Sequence, residues 1–413
     1  MAMSSMVVVR ATRRIFYPNV GAAILTLFVA AMFTGCESPQ HDRLWVDTKV
    51  NGQPFRMWVD TGSTTSLINR DVAEDLGLKY TGSPNGEPKA EELNPRGYTE
   101  PAILSVWNTE GTARFRVSDF PAYVHFNISG LIGWDQLQGR ILQIDAVKGE
   151  VRQLDQLPGD LAGWLRLRVL PRRSMLMLQV PMPLGPPEVI LIDTGNPSGV
   201  GLSPEHWRQW RTGHPDEPAT LHLFYMRDAP KDGTVISEQM WARTITLGPL
   251  QLDQVPVEEC DPPTLALAGP RHVATLGVTA LKRLNFILDL VHGYAYLRPN
   301  GVPPAPFFHN RLGAVFTPLD DQKEYLVARV EPGSPAALAG IQDGDYLTYL
   351  NGHVALNWRK HSFVGLIDFE WPDDDRVYLR VYRHGEELRI NVPLEDILGP
   401  GSPSYDGPVE AKQ

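Results

Sequence analysis

The triplet Asp-Thr-Gly occurs twice, as Asp60-Thr61-Gly62 and Asp193-Thr194-Gly195. A single triplet carries little weight, because average residue usage yields about 0.1 per chain of this length. Each follows an apolar run of strand length, Phe55 to Val59 in one case and Val189 to Ile192 in the other, so each aspartate stands at a strand end. Two carboxylates about 3 Å apart cannot both ionise easily and come to share one proton. Such a pair can take a proton from water and give one to a carbonyl oxygen or a leaving amine, with no metal and no covalent intermediate. It titrates as a unit. The plainer alternative is that each triplet is a turn in which Asp caps a neighbouring amide.

The elements around the triplets repeat. Gly52 precedes Asp60 by eight residues, and Gly185 precedes Asp193 by eight. Downstream, Gly133, Leu137, Asp145 and Gly149 have the spacing of Gly277, Leu281, Asp289 and Gly293. Self-similarity at this scale marks duplicated structural units. Leu142, Ile144 and Val151 in one copy, and Phe286, Leu288, Tyr294 and Tyr296 in the other, fit short strands that turn at the second glycine. After the first triplet the pattern predicts a strand over 65–68 and a helix over 69–78. After the second it predicts a strand over 200–202 and a helix starting at Ser203-Pro204-Glu205. Asp60 lies 73 residues before Gly133, whereas Asp193 lies 84 before Gly277; the extra length belongs in the loops.

Other chemistry lacks its residues. The 11 histidines are scattered, with no His-Glu-x-x-His and no Gly-x-Ser-x-Gly, so no metal or cofactor is expected. The net charge of −10 leaves no basic footprint for nucleic acid. With 413 residues against about 150 per domain, the chain divides into two or three modules. The acidic run Asp373 to Asp375 reads as a solvated loop.

The duplicated triplets resemble those of retropepsin-like aspartic peptidases, in which Asp-Thr-Gly follows an apolar strand and a later apolar-apolar-Gly segment packs behind it. Here those segments are Leu131-Ile132-Gly133 and Thr275-Leu276-Gly277, Thr275 taking a usually apolar position. The resemblance implies a mainly β fold of two tandem acid-protease lobes, residues 42–156 and 160–298, forming a pseudo-dimer with Asp60 and Asp193 as the catalytic pair. It implies that Thr61 and Thr194 hydrogen-bond across the interface and that Gly62 and Gly195 let the backbone approach the carboxylates. Ser63 fits the family's small or hydroxyl residue. Asn196 departs from it and changes the hydrogen bonding open to Asp193. A flap is expected within 97–104 and 231–236. A lobe pair that binds peptides without cutting them, and a dimer with two sites, remain open alternatives.

A Pro-rich linker over 299–309 leads to a module at 310–398 that resembles a PDZ domain of the bacterial peptidase-associated type. Arg311-Leu312-Gly313-Ala314-Val315-Phe316 looks like the carboxylate-binding loop and groove strand. Gly333-Ser334-Pro335-Ala336 and Asp343-Gly344-Asp345 match the central motif. The amides of Leu312 and Gly313 would then receive the carboxylate of a C-terminal peptide; simple bracing of the lobes is the alternative. Strands are expected at 314–316, 325–330, 346–350, 377–382 and 388–392, and helices at 335–340 and 358–369. Residues 399–413 form a tail.

Arg10, Arg13 and Arg14, the apolar run Val20 to Phe33 and Cys36 resemble a bacterial lipoprotein signal over residues 1–35, with Cys36 as the lipidated residue. The expected location is the bacterial cell envelope, held to the membrane by a lipid and facing the periplasm or exterior, with polypeptides as substrates. Ordinary cleavage without lipid is the alternative. Cys260, the other cysteine, reads as a small packing residue.

Overall fold

The computed structural model describes residues 43–81, 97–118, 129–170, 175–225, 234–260, 271–304, 307, 309–318, 326–355 and 375–398. The signal residues with Cys36, the expected helix at 358–369, residues 231–233 of one flap segment, and Asp373 and Asp374 lie outside them. Among the described residues no helix is long and apolar enough to cross a membrane.

The fold is mainly β, with one 21-stranded sheet and a separate six-stranded sheet. In the first repeat, Trp45–Val50 and Gln53–Val59 form a hairpin whose turn residues Asn51 and Gly52 both have positive φ, 50° and 81°. That is the type I′ geometry whose twist matches paired strands. Gln53–Val59 then runs parallel to Gly130–Ile132, and Leu67–Asn69 pairs antiparallel with that same strand. The second repeat has the same pattern: Met177–Val180 pairs with Glu188–Ile192, Glu188–Ile192 runs parallel to His272–Leu276, and Val200–Leu202 is antiparallel to it. Each triplet leaves one of two parallel strands and returns beside the other.

The closing segments join the repeats. Ile141–Asp145 with Glu150–Leu154, and Leu284–Asp289 with Tyr294–Pro299, are hairpins. Ile141–Asp145 pairs directly with Leu284–Asp289. The repeated aspartates close equivalent turns, Asp145 accepting from the Lys148 amide and Asp289 from the His292 amide, each at 3.0 Å. One apolar core runs through both repeats and includes Ile68, Ile132 and Leu137 beside Ile190, Ile192 and Leu276.

The repeats diverge where extra length was expected. The first has a short helix, Arg70–Asp75, capped by the Asn69 side chain. The second has Pro204–Gly213 with proline in its first turn and the long pair Thr234–Leu247 and Leu250–Glu259. The helix expected over 69–78 is shorter because the chain reaches Gly77 at φ +66°, a backbone region that ends helices. Residues 97–104 hold strands Tyr98–Thr99 and the start of Ala102–Val106.

The six-stranded sheet runs in the order Ala314–Pro318, Leu326–Val330, Tyr346–Leu350, Arg376–Arg383 and Glu386–Pro393, with His353–Val354 on the third strand. Its core contains Leu312, Phe316, Leu347 and Val381. The expected strands are all present. The helix expected over 335–340 is Pro335–Leu338, capped by Ser334. Buried Asp345 anchors the Asp-Gly-Asp turn through two Arg383 nitrogens, both at 2.6 Å.

Candidate active site

Each candidate aspartate begins where a buried strand ends. The Asp60 amide donates to Ile132 O and the Asp193 amide to Leu276 O, both at 2.9 Å, so the apolar-apolar-Gly segment fixes the backbone from behind. Gly133 and Gly277 then have to be small. A Cβ on Gly133 would lie 2.5 Å from Thr65 O, and one on Gly277 would lie 2.3 Å from Ser198 O.

The threonines exchange bonds between the repeats. The Thr61 amide donates to Thr194 Oγ1 at 3.0 Å and the Thr194 amide to Thr61 Oγ1 at 3.1 Å. Thr61 Oγ1 donates to Ile192 O and Thr194 Oγ1 to Val59 O, both at 2.6 Å. Both threonines are buried, and every polar atom in this lattice is satisfied, the condition under which a buried network rigidifies.

That lattice brings the carboxyls together. Asp60 and Asp193 hydrogen-bond to each other. Gly62 faces the Asp193 carboxyl so closely that a Cβ would lie 2.5 Å from Oδ1, and a Cβ on Gly195 would lie 2.5 Å from the Asp60 Cγ. The two sides are unequal. Asp60 Oδ1 accepts from the amides of Gly62 at 2.9 Å and Ser63 at 3.0 Å, whereas Asp193 Oδ1 accepts from Gly195 at 3.0 Å. The Asn196 side chain instead accepts from the Ser198 amide at 2.8 Å, and its own amide goes to Asp193 O at 3.2 Å. The Ser63 hydroxyl likewise points away, to Thr65 O.

Electrostatics follow this asymmetry. Burial raises the Asp60 carboxyl above its ordinary value, opposed by the Gly62 and Ser63 amides and the bond from Asp193. Burial and then the neighbouring Asp60 charge push Asp193 up to about 8. Both carboxyls are thus raised by burial, and the pair shares a proton as one titrating unit. Arg43, buried with its guanidinium 4.5 Å above the Trp58 ring, lowers both carboxyls through its charge.

A second buried cluster adjoins the Asp193 loop. Glu258 Oε2 meets His222 Nδ1 at 2.7 Å and accepts from Ser237 Oγ and Gln239 Nε2 at 3.3 Å; the Ser198 hydroxyl nearby is buried and outside hydrogen-bond geometry. Although burial opposes it, these partners hold the Glu258 carboxyl below its ordinary value, His222 foremost among them. A depressed carboxylate contributes stability above its unfolded value and loses it as pH falls through the folded one. Glu258→Ala leaves the His222 side chain without this buried carboxylate and should cost about 3 kcal/mol, measured by urea unfolding at neutral pH, with the difference shrinking in acid.

In the C-terminal sheet, the side chains of Leu312, Ala314 and Phe316 are core residues, Val315 is buried, and Arg311 Nη2 donates to Leu394 O. The amides of Leu312 and Gly313, expected to be open to a ligand carboxylate, donate instead to Asn310 Oδ1 at 3.0 and 3.1 Å.

Arg43, the Glu258 cluster and Asn310 were not anticipated from sequence. Only Asn310 had a signal: an Asn side chain two residues before a turn commonly accepts the following amides. Among the described residues no three His, Cys, Asp or Glu side chains form a metal-holding group. Cys260 is buried with Sγ 3.7 Å from Thr275 Oγ1, which also meets His272 Nε2 at 3.0 Å. Polar partners thus satisfy Thr275 at its usually apolar position.

Comparison with known proteins gives two domain matches. Residues 46–135, containing the first triplet, match the aspartyl protease family, and residues 326–383 match the PDZ domain family. The chain is similar to the "Probable periplasmic serine endoprotease DegP-like" of Marinomonas sp. (strain MWYL1), 37% identical over 78 residues, which are 19% of this chain and 16% of that protein. It is also similar to "Protein DNA-DAMAGE INDUCIBLE 1" of Arabidopsis thaliana, 32% identical over 108 residues, 25% of this chain and 24% of that protein. The matches thus span a quarter or less of either relative. The chain is a mainly β protein with an aspartyl-protease domain and a PDZ domain.

Proposed function

We propose that the chain is an aspartic endopeptidase of the bacterial cell envelope, in which two tandem retropepsin-like lobes supply Asp60 and Asp193 to one site. The hydrogen-bonded pair of carboxyls is the observation that carries this reading. Ionised Asp60 takes a proton from a water between the carboxyls as its oxygen attacks the scissile carbonyl carbon. Protonated Asp193 gives its proton to the carbonyl oxygen, forming a tetrahedral diol. On collapse, Asp60 returns its proton to the leaving nitrogen, a diol hydroxyl returns one to Asp193, and the C–N bond breaks. Thr61, Gly62, Thr194 and Gly195 position the pair; Ser63 and Asn196 set its asymmetry through their backbones. The PDZ domain binds C-terminal peptides, and lipidated Cys36 ties the chain to the membrane. The periplasmic relative supports that location.

The test is the pH profile of cleavage of an unfolded protein by the purified chain. The rate requires the pair to hold a single proton, so kcat/KM should fall in acid as the pair takes up a second proton and fall again toward pH 8 as it loses its last. A rate that climbs steadily beyond that alkaline limb would point to another kind of chemistry.

A further inference from the structure

Asn310 joins the PDZ cradle to the second lobe. Its Oδ1 takes the Leu312 and Gly313 amides, and its Nδ2 donates to Ala314 O at 2.9 Å and to Leu221 O at 2.8 Å. Its backbone carbonyl accepts from buried Thr220 Oγ1 at 2.7 Å. Only 6% of the residue is exposed, and its side-chain hydrogen-bonding capacity is fully used. Thr220 and Leu221 belong to the strand Ala219–Tyr225, which pairs with Thr234–Leu247 and packs beside the groove strand Ala314–Pro318.

We propose that the Asn310 carboxamide and the C-terminal carboxylate of a polypeptide compete for the Leu312 and Gly313 amides, so that peptide binding in the PDZ groove undocks the strand Ala219–Tyr225. A carboxylate makes stronger, charge-assisted bonds to the same two amides than a neutral carboxamide does. To admit it, the Asn310 side chain must leave the cradle, and its bond to Leu221 O leaves with it. The release is local. Trp241 still packs against Phe307, their rings tilted by 38° with centroids 5.6 Å apart, and Glu331 still lies in the field of Arg211 and Glu238.

The undocked strand leads to the site. His222 follows Leu221 and holds Glu258, near which the Ser198 hydroxyl is buried without a hydrogen bond. Ser198 belongs to the loop that carries Asp193, its amide bonded to Asn196. Peptide occupancy and docking of the strand are coupled through Asn310, and the coupling is reciprocal: whatever weakens the dock strengthens peptide binding. This deepens the reading of the PDZ domain as peptide-binding and needs no turnover.

The probe is a degenerate pool of ten-residue peptides with free C-termini, beside the same pool amidated. In the intact chain the free pool should speed hydrogen exchange at residues 219–225, and the amidated pool should not. Thr220→Val removes one of the two lobe bonds to Asn310, the one to its backbone carbonyl, and leaves the cradle's own bonds in place, so the weakened dock should let the variant bind the free pool about fivefold more tightly. Binding with no change in exchange at 219–225, equal affinity of Thr220→Val and wild type, or no binding by either would each overturn the proposal. The same results are expected in an Asp60→Asn background, so failure here would leave the proposed peptidase chemistry standing.

Discussion

Asp60→Asn and Asp193→Asn should each lower kcat/KM for an unfolded protein substrate by about 10³-fold or more. Each removes one partner of a coupled pair, and an amide can neither accept the proton from water nor supply one to the carbonyl oxygen. The two variants should differ in stability. The Asp193 carboxyl is raised in the folded chain to about 8, so the folded state binds more protons than the unfolded one across the window from the ordinary value of 3.8 to about 8. Wild-type stability therefore falls as pH rises through that window. Asp193→Asn removes this dependence and should gain on wild type in alkali; urea midpoints at several pH values would show it. Turnover that survives both single substitutions would remove the dyad from the chemistry.

The parts of this site legible in sequence were those governed by local rules. An apolar run that stops at Asp-Thr-Gly has to be a strand leading into a turn, and the repeated glycines at 133 and 277 mark backbone approaches too close for a side chain. The aspartates at 145 and 289 were legible as repeated positions before their role in closing turns was visible. Gly77 was legible too, and reading it as a helix end would have corrected the helix length. What was not legible depends on pairing distant strands. His222 and Glu258 lie 36 positions apart and meet inside a sheet, and Arg43 acts on the dyad because the segment leading into Trp45–Val50 lies beside Trp58. At Asn196 the side chain closes a local turn, and the asymmetry between the carboxyls comes from the backbone amides, Ser63 reaching the Asp60 carboxyl where Asn196 reaches only the Asp193 carbonyl.

Gly195→Ala should abolish most turnover although it removes neither carboxyl. The added Cβ would stand 2.5 Å from the Asp60 Cγ and Oδ2 and 2.7 Å from Oδ1, so the Asp60 side chain or the Gly195 loop must move by roughly 1 Å to reach ordinary contact. A displacement of that size costs about 10²-fold in rate, and crowding a packed site costs about 1–3 kcal/mol of stability. Gly159→Ala is the matched control, because nothing lies within 4 Å of its new Cβ and no positive φ opposes it; it should change neither rate nor stability measurably. Adding Asp60→Ala to Gly195→Ala removes the atoms that the new Cβ meets. The double variant should then be more stable than the sum of the two single changes predicts, although it stays inactive. Additive stabilities, or a Gly195→Ala rate within a few-fold of wild type, would mean that the carboxyl of one lobe does not rest against the glycine of the other. Recovered stability without recovered activity would instead separate the clash from the chemistry, and assign the loss in Gly195→Ala to displacement of a carboxyl rather than to a damaged fold.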